Sequence, residues 1–225
     1  MKASLVLFDI DGTLTRGVGP HHLIALERAV HQVTGVTVST HDIPVHGMLD
    51  HVILTLMMKA GRISEADALR AMPMVIDLAQ DFYLQTEVPD LRGKRCPGVP
   101  EILQEMEARG VVLALVTGNL TRIGWHKLTR AGIHHHFRFG AFGEMAPTRG
   151  DLAKLAIARA RSEGLIGPES RISLIGDATS DVQAARDAGI QAIAVRTGVT
   201  PPEDLEAAAP DVLLNDLTGL DLSII

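Results

Sequence analysis

The stretch "LVLFDIDGTLT", residues 5–15, sets four apolar residues, Leu5 to Phe8, directly before two aspartates, Asp9 and Asp11, that are one residue apart. An apolar run with no polar alternation is what a strand buried on both faces requires. In open parallel sheets ligands bind outside the carboxyl ends of the strands. Asp9 and Asp11 therefore emerge where a ligand would sit. The two-residue period of extended chain sends both to one side and Ile10 to the other, and Gly12 lets the backbone turn closely around whatever is bound.

Similar short apolar runs recur at 111–116, 172–175, 192–195 and 212–214. Helical patterns lie between most of them, at 100–109, 121–131, 151–163 and 180–188. Strands apolar on both faces that alternate with helices predict a doubly wound, Rossmann-like α/β fold with a parallel sheet and right-handed crossovers. One interval breaks the alternation. Between residues 15 and 92 only helical patterns occur, at 21–34, 48–60, 64–71 and 73–86, separated by Gly35, Gly61 and Pro73. The expected organisation is an α/β catalytic core at 1–16 and 92–225 with an all-helical inserted domain at 17–91. Segments 17–20 and 91–97 would be its hinges.

Composition limits the partners. The chain of 225 residues is 46% hydrophobic and 21% charged, as globular α/β proteins are. Its 27 acidic and 21 basic residues give a net charge of −6, and no basic block is present. That balance argues against nucleic acid and acidic membranes as partners. The first apolar run meets Asp9 too soon for an export signal, and no segment reaches 18 uncharged apolar residues. Cys96 stands alone, so no internal disulfide can form. The expectation is a soluble, cytoplasmic protein whose partner is a small phosphorylated metabolite.

Other strand ends carry matching chemistry. "LALVTGN" finishes with Thr117, Gly118 and Asn119 ahead of a helix, which offers a hydroxyl and amide groups to phosphate oxygens. "ISLIGDATSD" finishes with Asp177, and Asp181 follows in the first turn of the next helix. Asp9, Asp11, Asp177 and Asp181 would thus crowd one sheet edge. Such crowding is costly unless a cation sits among them. A set of oxygen donors alone points to Mg²⁺.

"DIDGTL", "VTGN" and "GDATSD", in that order, resemble the first, second and fourth motifs of the haloacid dehalogenase superfamily of hydrolases, in its phosphatase branch. The helical insertion resembles the cap of subfamily I members of the phosphoglycolate phosphatase type. The resemblance implies Asp9 as nucleophile and Asp11 as general acid and base. It implies Thr117, with Gly118 and Asn119, as phosphate ligands, and Asp177 as metal ligand supported by Asp181. An acid at position 11 fits a phosphoester, because a halide leaves without a proton. The third motif departs from the usual lysine: in "FGEMAPTRGDLAKLAIARA" Arg149 is the candidate for the phosphate-binding cation and Lys154 the alternative.

"HGMLD", residues 46–50, resembles the cap segment that faces the active site, which makes His46 and Asp50 candidates for substrate selection beside His21, His22 and His51. The run of histidines at 134–136 is read as a loop, since consecutive side chains do not converge on one ion. Trp125, Met57 and Met58 are read as core. The function expected is Mg²⁺-dependent hydrolysis of a small phosphate monoester through an aspartyl-phosphate. A sugar-phosphate mutase of the same superfamily is the alternative. A phosphoacceptor receiver domain is disfavoured by its shorter length, its lack of an insertion and its lack of an acid two residues after the phosphorylated aspartate.

Overall fold

The computed structural model describes residues 3–41 and 43–225. Six parallel strands form one sheet: β1 (Leu5–Phe8), β2 (Val112–Val116), β3 (Phe139–Ala141), β4 (Ile172–Gly176), β5 (Gln191–Val195) and β6 (Val212–Leu214), in the order β3-β2-β1-β4-β5-β6. The chain winds outward from β1 through β2 to β3, then returns across β1 to build the other half. That reversal opens a crevice at the carboxyl edge beside β1. Phe8 stands level with Leu115 on β2 and Ile175 on β4. The residues that follow these three strand ends therefore meet at one place.

Between β1 and β2 lie α1 (His21–Thr34), α2 (Asp50–Ala60), α3 (Glu65–Gln85) and α4 (Val99–Ala108). The remaining crossovers are α5 (Thr121–Ala131), α6 (Arg149–Ser162), α7 (Thr179–Ala188) and α8 (Pro202–Ala207). One face of the sheet is covered by α6 and α7, through Leu152, Ala156, Val182 and Ala185. The other carries a larger cluster that runs without interruption from Val6 and Phe8 through Ile123 and Leu128 into Leu26, Met57, Val75 and Tyr83 of the inserted helices. The helices between β1 and β2 thus share their apolar core with the sheet and do not enclose a separate one. Met57 and Met58 are fully buried there, and Trp125 packs against it.

Two features differ from the sequence reading. The patterns at 64–71 and 73–86 are one helix, α3, with Pro73 inside it. An interior proline costs about 3 kcal/mol. Burial of Val75, Ala79 and Tyr83 contributes more, at about 1.5–3 kcal/mol for each large side chain, and Ser64 caps the start by accepting from Asp67 N at 3.2 Å. The second difference is β3, which the sequence reading lacks. It has three residues with Gly140 at its centre, so it presents no apolar run. A Cβ on Gly140 would lie 2.7 Å from the Phe142 ring. The histidines at 134–136 form a 3₁₀ turn in which His136 is buried and bonded to Glu107 at 2.7 Å.

Candidate active site

Asp9 follows β1, its amide bonded to Ile175 O at 3.0 Å. The chain then closes a tight loop in which Gly12 has φ +87° and donates to Thr15 O at 2.6 Å. A Cβ at Gly12 would fall 2.3 Å from Asp177 Oδ2, so only glycine fits between the two strand-end loops. Thr13 Oγ1 donates to Asp177 Oδ1 at 3.1 Å. Neither Thr13 nor Thr197, which donates to Gly12 O at 2.5 Å, was singled out from sequence.

Ligand oxygens of Asp9, Asp177 and Asp181 all lie within 4.8 Å of one another, and all three residues are buried. Burial, with the charges of Asp9 and Asp181, pushes the Asp177 carboxyl up to about 8. Burial also raises Asp181, to about 6, although Arg149 pulls it down. Arg149 is the first residue of α6, whose Thr148 cap accepts from Asp151 N at 3.1 Å. Its Nη1 lies 2.8 Å from Asp181 Oδ1 and 3.1 Å from Asp9 Oδ1. Burial alone would depress this guanidinium, but Asp181, Asp9 and Asp177 hold it well above its ordinary value. Lys154, by contrast, is exposed and pairs with Asp151 at 3.6 Å. Of the two candidate cations, Arg149 stands beside Asp9.

The cluster remains short of positive charge: one guanidinium faces three carboxylates, and Asp9 Oδ1 accepts no hydrogen bond although it is buried. An all-oxygen donor set of three crowded carboxylates against one guanidinium fits a small divalent cation such as Mg²⁺.

Residues 3–189 match the family described as haloacid dehalogenase-like hydrolase. The chain belongs to that family. A phosphoglycolate phosphatase of Pseudomonas putida is 27% identical over 225 residues, which covers 96% of this chain and 78% of the relative. One from Vibrio vulnificus is 29% identical and covers 97% of this chain and 95% of its own length. In fold, the hydrolase superposes on a β-phosphoglucomutase from Clostridium difficile with a TM-score of 0.70 at 18% identity, covering 99% and 95% of the two chains. Among the described residues no helix is long and apolar enough to cross a membrane.

Asp11 of this hydrolase stands apart from the three-carboxylate cluster. Its Oδ2 accepts from Lys127 Nζ at 2.6 Å and Asn119 Nδ2 at 2.9 Å. Burial raises its carboxyl, but the Lys127 charge and the hydrogen bonds from Lys127 and Asn119 hold it below the usual carboxylate range. Asn119 Nδ2 also donates to Thr117 Oγ1 at 2.8 Å. With that oxygen already accepting, the Thr117 hydroxyl proton is left to point elsewhere.

Beyond Gly118 and Asn119, the amides that open α5 are held by side chains. Leu120 N donates to Asp50 Oδ2 at 2.8 Å, Thr121 N to Glu144 Oε1 at 3.0 Å and Arg122 N to Gln80 Oε1 at 2.8 Å. Side chains already satisfy this helix end.

The "HGMLD" segment crosses the edge of the site. A Cβ on Gly118 would meet Met48 O at 2.1 Å, and one on Gly47 would meet Ser180 Oγ at 2.8 Å. Asp50 N donates to Gly118 O at 2.8 Å. A cavity of about 750 Å³ lies beneath, lined by Asp9, Asp11, His22, His46, Lys127 and Arg149 among others. His46 is exposed at its rim, whereas Asp50 is buried and held by His22. His51 Nδ1 bonds to Gly143 O. His21 is half-buried on α1, with its ring near Gly19.

Lys127 was not found from sequence. Its signal was present: in "TRIGWHKLTRA" it falls on the same helical stripe as Ile123, Gly124, Leu128 and Ala131, all buried. A lysine on a buried stripe needs a partner.

Proposed function

We propose that this hydrolase cleaves small phosphate monoesters through an aspartyl-phosphate on Asp9. The observation that carries the reading is the pairing of two aspartates on one loop: Asp9 beside Arg149 and an unneutralised carboxylate cluster, and Asp11 held separately by Lys127 and Asn119. The end-to-end alignment with phosphatases supports it.

A carboxylate oxygen of Asp9 attacks phosphorus and forms the O–P bond as the bond to the leaving oxygen breaks. Asp11 takes up a proton from solvent on Oδ1, the oxygen that Lys127 and Asn119 leave free, gives it to that leaving oxygen, then takes one from the water that attacks phosphorus and frees Asp9. Arg149 bridges Asp9 and the incoming phosphate, and the Thr117 hydroxyl donates to a phosphate oxygen. Bound by Asp9 and Asp177 with Asp181 in support, Mg²⁺ would neutralise the repulsion between two anions. Asp11 belongs with the proton chemistry, since Lys127 and Asn119 already claim its Oδ2. Residues 17–91 act as a cap that excludes bulk water, with His46 facing the leaving group.

The test is phosphate release over a panel of metabolite monoesters with Mg²⁺. Release into water supports hydrolysis. Isomerisation of a sugar phosphate, primed by a bisphosphate and without release, would replace this reading with that of a mutase.

A further inference from the structure

Lys127 is 1% exposed, and a lysine so buried is tolerated only when its ammonium is fully paired. Its three protons have three acceptors: Asp11 Oδ2 at 2.6 Å, Asn119 Oδ1 at 2.7 Å and His22 Nδ1 at 3.2 Å. Because Nδ1 of His22 accepts, its Nε2 carries the proton and donates to Asp50 Oδ2 at 2.8 Å. The same Asp50 oxygen receives Leu120 N. Every donor in this chain finds an acceptor, and the chain runs from the inserted helices α1 and α2 to the core residue Asp11. Within this hydrogen-bonded network Asp11 Oδ1 is the oxygen left without a partner.

We propose that Lys127 is a positioning residue for Asp11, and that His22 and Asp50 make its hold depend on the insertion being seated against the core. This rests on the reading of Asp11 as the acid and base. With Oδ2 anchored twice, the carboxylate cannot rotate, and Oδ1 keeps one direction. Without the His22 acceptor from α1 the ammonium loses its third partner, and Asp11 is held less firmly in its orientation.

The test compares kcat/KM, which reports ester cleavage, for alkyl phosphates and for p-nitrophenyl phosphate. An alkoxide needs a proton to leave, and p-nitrophenolate scarcely does. Lys127→Met should lose on the order of 10²-fold on alkyl phosphates and only a few-fold on the aryl ester. His22→Gln, which leaves the Lys127 pair with Asp11 in place, should show the same selectivity at about 10-fold, and it decides the matter if Lys127→Met does not fold. Equal losses on both substrates, or none, beside a selective Asp11→Asn, overturn the positioning role alone. An Asp11→Asn variant that loses both substrates equally overturns the acid and base reading and this proposal with it.

Discussion

Asp9 and Asp11 leave the same strand one residue apart and enter opposite surroundings. Around Asp9 negative charge is concentrated: Asp177 and Asp181 are buried beside it, Arg149 is the cation in contact, and one Asp9 oxygen is left without a hydrogen bond. Around Asp11 the protein supplies its own counter-charge in Lys127, and the polar groups that reach it from α1, α2 and α5 are paired. The carboxyls of Asp177 and Asp181 in the first region are pushed up, and that of Asp11 in the second is held down. A site left short of cations is built to receive one. A site already neutralised is built to hold a shape.

The same substitution should therefore act differently at the two positions. Asp9→Asn removes the proposed nucleophile, and turnover should fall on the order of 10⁴-fold or more. Without metal its melting temperature should stay level or rise, because one of three crowded carboxylates is gone. Asp11→Asn should lower stability by about 2 kcal/mol, less than for a wholly buried pair because the Asp11 side chain is 40% exposed while Lys127 stays buried. Thermal melts in chelator compare the two directly. Equal destabilisation by both would erase the distinction.

Metal and pH sharpen it further. A carboxyl whose folded pKa is raised stabilises below its unfolded value, near 3.8, and that contribution is lost as pH rises through the folded value. Metal-free protein should therefore lose stability as pH climbs through about 6 and about 8. Asp11 has a lowered pKa, so its contribution is lost only as pH falls below about 3.8, and it leaves this window untouched. Mg²⁺ binds the ionised cluster, so it should raise the melting temperature most at the upper end of the window and flatten the profile. Melting curves from pH 5 to 9 with Mg²⁺ or chelator read this out. Asp177→Asn should abolish the Mg²⁺ effect, and chelation should abolish activity in the wild type. A metal-free profile that rises with pH would contradict the reading of the cluster.

The first region was legible in the sequence; of the second, Asp11, Asn119, His22 and Asp50 were picked out, but not Lys127 or the bonds that join them, for a physical reason. Asp9, Thr117 and Asp177 each follow an apolar run, so strand-end logic places them on one edge without knowledge of the fold. Arg149 follows from the position of α6. The Asp11 network depends on side chains brought together across 105 to 116 positions, which no local periodicity reveals. The same limit explains β3, whose three residues gain their strand character from pairing with β2. It explains Pro73 too, since packing on both sides of the proline keeps α3 continuous.

The smallest effect should fall on His46, and it separates two kinds of substrate selection. His46 is exposed at the cavity rim, on the loop that crosses Gly118 and Ser180. Asp50, four residues on, is buried and bonded to His22 and Leu120 N, so it has little freedom to meet a substrate. His46→Ala should change kcat/KM by about 3–10-fold among esters according to the shape of the leaving group, as loss of a single polar contact does. It should spare p-nitrophenyl phosphate and leave stability within about 0.5 kcal/mol. Asp50→Ala should instead sort substrates by leaving-group basicity, as His22→Gln does, because it acts through Lys127. A panel of phosphate esters that varies shape at constant leaving-group pKa, and pKa at constant shape, distinguishes the two. If His46→Ala leaves the ranking by shape unchanged, the loop serves only to start α2, and selection belongs to other residues of the cavity wall.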